Sequence, residues 1–77
     1  MDELLKRIVI DSKVMVGKPV IKGTRITVEH ILRELSSGMS VADLLDAHPH
    51  LTADDIRAAC AYAAARLAEE RITIAAE

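Results

Sequence analysis

The stretch GKPVIKGTRITVEHIL, residues 17–32, joins an irregular arm to a helix. Pro19 and the two glycines supply turns, and Val20 and Ile21 form a short apolar strand between them. Thr27 is a typical N-cap, because its hydroxyl accepts a hydrogen bond from the first helical turn. The apolar residues that follow lie at helical spacing: Val28, Ile31, Leu32 and Leu35. The stretch therefore predicts a turn, a strand and the first of several helices.

A second helix is predicted over residues 40–48. Ser40 with Asp43 three positions later is a variant of the capping box. Gly38, just upstream, suits the left-handed residue that commonly ends a helix, so it is expected to close the first helix. Pro49 ends the second helix, since the residue before a proline is biased away from helical backbone angles.

A third helix is predicted over residues 52–70, where Thr52 and Asp55 repeat the capping device. Its expected core stripe is Ile56, Ala59, Cys60, Ala63 and Leu67. Three capped helices with matching apolar stripes predict a mostly α fold, a three-helix bundle over residues 27–70.

Residues 6–26 form an arm before this bundle. Its β-branched run at residues 7–10 and the strand at residues 20–21 predict either a loose hairpin or two strands that pair with another subunit. A two-stranded hairpin is marginal in water on its own, so these strands are expected to lean on the helices or on a second copy. The chain of 77 residues is expected to be one domain.

The composition favours a protein that binds a partner. Phe and Trp are absent and Tyr62 is the one aromatic residue, so the core is thin and gains from association. A homodimer is expected, through the N-terminal strands or through a smooth second face of the third helix. That face consists of Ala61, Ala64, Ala65 and Ala68. Alanine is also the best helix former, so the face has an equally simple explanation in helix propensity.

The chain ends and the single cysteine indicate the compartment. Cys60 has no partner for an internal disulfide, which favours a reducing environment. The N-terminus lacks the apolar region of a signal peptide, and no stretch approaches the length of a membrane helix. A soluble, cytoplasmic protein is expected. Residues 71–77 form a tail in which Ile72 and Ile74 alternate with polar neighbours, as in a strand. These two side chains are expected to contact a partner.

Charge is divided unevenly along the chain. Residues 1–25 carry a net charge of +3 and residues 26–77 a net charge of −5. Phosphate contacts are therefore expected in the arm, at Lys18, Lys22 and Arg25, rather than on the helices.

Several kinds of chemistry find little support. A phosphate-binding loop needs a Ser or Thr after its Gly-Lys pair, but Pro19 follows Lys18. No spacing indicates a nucleophile with its base, so no enzyme and no cofactor are expected.

The histidines suggest a metal only weakly. His48 and His50 flank Pro49, and a third ligand would have to come from His30, Asp46 or Cys60 by folding alone. Histidines beside a helix-ending proline are common, so no metal site is predicted.

The second helix, the turn at residues 48–51 and the third helix have the lengths and order of a helix-turn-helix. In that arrangement Thr52 and Arg57 would lie nearest to DNA. The two carboxylates of Asp54 and Asp55 would be repelled by phosphates, with Arg57 alone to offset them. They equally serve the dipole at the N-terminus of the helix.

Two motifs resemble a known family over roughly residues 6–70. The pattern Gly-x-Pro-x-Ile-x-Gly-Thr-Arg is matched by Gly17, Pro19, Ile21, Gly23, Thr24 and Arg25. A Pro-x-Leu-Thr turn before an alanine-rich last helix is matched by Pro49, Leu51, Thr52 and Ala63. Both are similar to motifs of the small bacterial and archaeal domain-of-unknown-function 433 family.

That resemblance implies a homeodomain-like helix-turn-helix fold and an antitoxin of the VapB kind. Members often lie beside genes for PIN-like ribonuclease toxins, so the expected partner is such a toxin, and operator DNA is a second expected ligand. Two hypotheses follow: a toxin-neutralising binding module that also regulates its own operon, or a DNA-binding regulator that acts without a toxin.

Overall fold

The computed structural model describes residues 2–69. Four α-helices, one 3-10 helix and two short strands follow one another along the chain: α1 (Asp2–Leu5), β1 (Ile8–Val9), the 3-10 helix (Met15–Gly17), β2 (Val20–Ile21), α2 (Val28–Ser36), α3 (Val41–Ala47) and α4 (Ala53–Glu69). The mostly helical prediction is confirmed, and α2, α3 and α4 are the three predicted helices. The short helix α1 was not predicted.

The two strands pair with each other within the chain. They are antiparallel, with Ile8 opposite Ile21 and Val9 opposite Val20. Val20 also forms a bridge with Thr27, which ties the strand to the start of α2. Of the two alternatives for the arm, the structure therefore has the pairing within one chain.

Helix α2 begins and ends as its sequence predicts. The Thr27 hydroxyl oxygen accepts a hydrogen bond from the His30 N–H at 2.9 Å. At the other end Gly38 has φ = 104°, in the left-handed region. The Met39 N–H then donates to the Glu34 carbonyl at 3.2 Å, and the Gly38 N–H to the Leu35 carbonyl at 3.1 Å. These two bonds are those of a Schellman motif, which satisfies carbonyls at the helix end.

Both predicted capping boxes are present. The Ser40 hydroxyl accepts from the Asp43 N–H at 3.0 Å, and the Asp43 carboxylate accepts from the Ser40 N–H at 3.3 Å. Thr52 and Asp55 make the same reciprocal pair, with distances of 3.2 and 3.0 Å. These contacts start α3 and α4 one residue after each cap, at the positions expected for reciprocal N-terminal caps.

The core lies where the strand pair meets α2, α3 and α4. Ile31 and Leu44 are fully buried at its centre. Around them lie the other members of the core: Ile21, Val28, Leu51, Ile56 and Ala59. Six of these seven side chains are branched aliphatics. The polar residues Thr27 and Asp55 are buried as well, and both side chains cap helices.

The predicted core stripe of the last helix is partly wrong. Ile56 and Ala59 are buried, but Cys60 is exposed and Leu67 is 55% exposed. Ala58, which the stripe leaves out, is fully buried instead. The reason is that α4 packs against α1 and β1 as well as against α2 and α3. The extra packing from the N-terminal segment rotates the buried face away from Cys60.

The 3-10 segment has an unusual backbone. Met15 and Val16 have φ values of 49° and 56°, in the left-handed region that β-branched residues rarely adopt. The Val16 side chain is 91% exposed, so no packing compensates for the strain.

Candidate functional site

An apolar groove lies between α2 and α4, with a volume of about 550 Å³. Its apolar wall is formed by Pro19, Val28, Leu32, Tyr62, Ala63 and Leu67. Tyr62 is half-buried there, and Leu67 is among the exposed large apolar side chains. The clustering of apolar side chains in one open groove makes this surface the candidate site for a partner.

The groove lies where the second half of α4 runs beside α2. Helix α4 has 17 residues and α2 has 9, so α4 is longer by about 12 Å at the usual rise per residue. In the last two turns of α4, the apolar side chain of Leu67 stays 55% exposed.

The rim of the groove is charged. Arg33 and Glu29 form an ion pair across one helical turn at 2.8 Å, and Arg66 pairs with Glu69 at 3.6 Å. Glu29 also accepts a hydrogen bond from Lys18 at 3.2 Å. The Lys18 ammonium, through this bond and its charge, together with Arg33, lowers the pKa of Glu29 below its ordinary value. An apolar floor with a polar rim is the usual anatomy of a protein interface.

The alanine face predicted to bind a partner is a different surface. Ala61 and Ala65 are half-buried, while Ala64 and Ala68 are exposed. None of the four lines the groove. Ile72 and Ile74, the other predicted partner contacts, lie outside the described residues. Sequence reasoning missed the groove because it assigned Leu67 to the core.

Two of the three predicted phosphate contacts lie together. Lys22 and Arg25 are exposed and share a surface depression with His50, which belongs to the turn before α4. Lys18 is separate from them and pairs with Glu29 instead. The arm and the turn of the predicted helix-turn-helix therefore contribute to one basic surface.

The two carboxylates at the start of α4 are offset by more positive charge than the sequence indicates. Asp55 is buried, and its Oδ1 accepts a hydrogen bond from Arg7 Nη1 at 3.0 Å. Asp54 lies 3.8 Å from the same guanidinium and 3.2 Å from Arg57. The expectation that Arg57 alone offsets the two carboxylates is therefore wrong. Arg7, 48 positions away from Asp55 in sequence, does so as well.

The remaining predicted DNA contacts serve the helix itself. The Thr52 hydroxyl is engaged as the N-cap of α4, and Arg57 is engaged by Asp54. Arg57 is still mostly exposed, with 69% of its side chain accessible. Arg57 therefore keeps the reach that a phosphate contact needs, and the Thr52 hydroxyl, whose oxygen accepts the capping bond, keeps its own O–H as a donor.

Two histidines converge on one carboxylate at the junction of α2 and α3. His48 Nε2 lies 3.0 Å and His30 Nε2 lies 3.2 Å from the same oxygen, Glu34 Oε1. The two rings meet edge to face, with centroids 5.6 Å apart. His50, Asp46 and Cys60, which the sequence offered as ligands, do not belong to this cluster. Glu34 was not singled out, although its spacing of four from His30 on a helix places both on one face.

In the part of the chain from Asp2 to Glu69, no helix has the length and apolar character that a membrane crossing requires.

Three known proteins and one family model are similar to the chain. An uncharacterised protein of Archaeoglobus fulgidus is 69% identical over 29 residues, which are 38% of this chain and 81% of that protein. The uncharacterised protein y4eO of Sinorhizobium fredii is 43% identical over 49 residues. That match covers 64% of this chain but 22% of y4eO, so the chain resembles one part of a longer protein.

The solved structure is the crystal structure of a DUF433 member protein from Anabaena variabilis. It superposes with a TM-score of 0.78 at 31% sequence identity, and the match covers 88% of this chain and 67% of the other. The family model described as a protein of unknown function, DUF433, matches residues 8–63. That range contains both strands, α2, α3 and the first eleven residues of α4. The chain belongs to the DUF433 family.

Proposed function

We propose that the protein is a binding module of the antitoxin kind, which neutralises a PIN-like ribonuclease toxin by docking on it. The observation that carries this proposal is the apolar groove between α2 and α4, with its charged rim. Helix-in-groove recognition uses such a surface, in which apolar side chains at i, i+3 or i+4 and i+7 of a partner helix enter the groove.

The size and charge of the module support the same function. A groove of about 550 Å³ lies within the usual range for binding pockets, about 300–1,000 Å³, and takes a few large side chains rather than a whole domain. The sequence from residue 26 onward has a net charge of −5, which favours a basic partner surface. A ribonuclease that binds the phosphates of RNA presents such a surface.

Co-expression with the product of the adjacent toxin gene tests the proposal. The wild-type chain should co-purify with the toxin and restore growth. Leu67→Glu should weaken the complex at least tenfold, because it places a charge on the apolar wall. Leu67 is 55% exposed, so the fold should tolerate the change.

Ala64→Glu is the matched control, since it adds the same charge to an exposed position of the same helix outside the groove. It should leave the complex intact. A complex broken by Ala64→Glu but not by Leu67→Glu would assign docking to the alanine face. A toxin that neither binds nor loses toxicity would refute the antitoxin function.

Light scattering of the chain alone tests the proposed homodimer, which a monomer at tens of micromolar would contradict.

A second candidate function is DNA binding through a homeodomain-like helix-turn-helix formed by α3, the turn and α4. It is supported by the basic depression that Lys22 and Arg25 share with His50. The pairing of Asp55 with Arg7 supports it too, because it removes part of the repulsion expected at the start of α4. In this function the chain acts as a regulator without a toxin partner.

A gel shift with the upstream DNA at two salt concentrations tests this second function. Each phosphate contact contributes about −0.9 to the slope of log K against log salt. Lys22→Gln with Arg25→Gln should therefore flatten the slope by about 2. Lys13→Gln, at an exposed position outside the depression, is the control. An absence of binding even at low salt would exclude the regulator.

A further inference from the structure

The His30–Glu34–His48 cluster has the donor atoms of a metal site. Its three ligand atoms, two imidazole nitrogens and one carboxylate oxygen, all lie within 4.8 Å of one another. Both Nε2 atoms approach the same oxygen, Glu34 Oε1, at 3.2 and 3.0 Å. Two histidines with one carboxylate are a known ligand set for Zn²⁺ sites that keep a fourth position open.

The distances between these ligands suit a bound ion. With metal–ligand bonds of about 2.1 Å, neighbouring ligands lie about 3.0 Å apart in octahedral and about 3.4 Å apart in tetrahedral geometry. The two nitrogen–oxygen separations already have this size. Only the distance between the two Nε2 atoms has to change. The His30 side chain is half exposed, so it can rotate toward the ion.

The backbone places the three side chains on rigid supports. His30 and Glu34 are one turn apart on α2. His48 is the C-cap of α3, and its N–H donates to the Leu44 carbonyl at 2.9 Å. The Leu44 side chain is fully buried, so the end of α3 is anchored to the core. An ion at this place would join α2 to α3.

The local charge favours a cation. Within residues 2–69, no lysine or arginine lies at ion-pair distance from the Glu34 carboxylate, whose contacts are the Nε2 atoms of these two histidines. The neighbouring Arg33 is engaged by Glu29 at 2.8 Å. Two neutral imidazoles and one carboxylate carry a charge of −1, which a divalent ion would convert to +1.

We propose that His30, Glu34 and His48 bind one divalent transition-metal ion, with Zn²⁺ as the expected occupant and one position open to water or to a partner's ligand. Carboxylate and imidazole together select such ions over Mg²⁺ and Ca²⁺, which prefer oxygen ligands. The ion would join α2 to α3 in this small domain and so add to its stability. This proposal does not depend on the proposed function.

Titration of the untagged, metal-stripped chain with Zn²⁺ alone tests the site. Calorimetry should report one ion per chain. At about 100 times the dissociation constant the melting temperature should rise by about 10 °C or more, because the ion binds the folded state. Mg²⁺ should give no such rise. His48→Ala and Glu34→Gln should each weaken Zn²⁺ binding at least tenfold.

Two controls separate this site from adventitious binding. His50→Ala removes the neighbouring histidine outside the cluster, and Cys60→Ser removes the exposed thiol. Both variants should bind Zn²⁺ as the wild type does. Equal loss of binding in His50→Ala or Cys60→Ser, or unchanged binding in His48→Ala, would overturn the proposal.

Co²⁺ gives a readout on the wild-type chain that needs no variant. The intense visible bands of a four-coordinate ion should appear at one equivalent, and Zn²⁺ should displace them. A Co²⁺ spectrum that stays that of the free aqueous ion would overturn the proposal even if every variant failed to fold.

Discussion

The Arg7–Asp55 ion pair joins the N-terminal arm to the start of α4, and its removal should destabilise the fold strongly. The Asp55 side chain is 9% exposed and that of Arg7 is 42% exposed. One carboxylate oxygen accepts from Arg7 Nη1, and the other accepts from the Thr52 N–H, both at 3.0 Å. Asp55→Ala therefore removes a partly buried charge-assisted bond and half of the capping box.

The cost follows from these two contacts. A hydrogen bond to a charged group contributes about 1.5–3 kcal/mol, and a cap contributes about 1 kcal/mol. Solvent at the half-exposed guanidinium lowers the first figure, so Asp55→Ala should cost about 2–3 kcal/mol of unfolding free energy. Arg7→Ala leaves the buried carboxylate with the Thr52 N–H and the helix dipole, and should cost about 1–2 kcal/mol.

The assay is a double-mutant cycle in urea, followed by far-ultraviolet circular dichroism. Arg7→Ala, Asp55→Ala and the double variant should give a coupling energy of about 1 kcal/mol, since the two residues are in direct contact. Asp54→Ala is the control, because Asp54 is 51% exposed and lies 3.8 Å from Arg7. It should change stability by about 0.5 kcal/mol or less.

A coupling energy near zero, or equal losses from Asp54→Ala and Asp55→Ala, would refute this reasoning. Either result would mean that the carboxylate of Asp55 is as well solvated as its neighbour. The electrostatic support for DNA binding at the start of α4 would then fail too, since both acids would face solvent.

Three further substitutions test single features. Val16→Asn should raise the urea midpoint by the equivalent of about 0.5–1 kcal/mol, because Asn tolerates the left-handed backbone that strains valine. Gly38→Ala should lower the melting temperature by the equivalent of about 1–2 kcal/mol. A Cβ there would meet nothing within 4 Å, so the cost comes from φ alone. Lys18 and Arg33 stabilise the charged form of Glu29 and so lower its pKa in the folded state. Their contribution to the free energy of unfolding is therefore present above the ordinary pKa of a glutamate, and it is lost as pH falls through the lower folded-state pKa. Urea unfolding at several acid pH values measures this dependence, and in Glu29→Gln the part of the loss of stability that comes from protonation of Glu29 should be absent.

The helix boundaries could be predicted because they rest on local chemistry. The caps at Thr27, Ser40 and Thr52 bond to backbone atoms three residues away, so short sequence patterns specify them. The requirement for glycine at position 38 is equally local, since the positive φ is needed to end one helix. The buried side of α4 was harder, because α1 and β1 pack against it from the far end of the sequence. No pattern within the helix reports that contact.

The candidate sites show the same limit. The spacing of four residues between His30 and Glu34 is visible in the sequence. His48 comes close to them only because the chain turns between α2 and α3, and the sequence pattern does not show this. Sequence reasoning considered His50 beside His48 because the two flank Pro49, and it predicted no metal site; the cluster that the fold assembles does not include His50. The groove likewise depends on how the second half of α4 lies beside α2, which a periodic pattern does not reveal.

Helix α2 connects the groove with the histidine cluster. Val28 and Leu32 line the groove, while His30 and Glu34 lie roughly 160° away around the helix, on its opposite side. Ile31, fully buried, fixes the position of the helix between them. Substitutions on either side should therefore disturb one site without the other, because they leave the buried anchor in place. A cavity at Ile31 would move the helix itself, so both sites would be lost together.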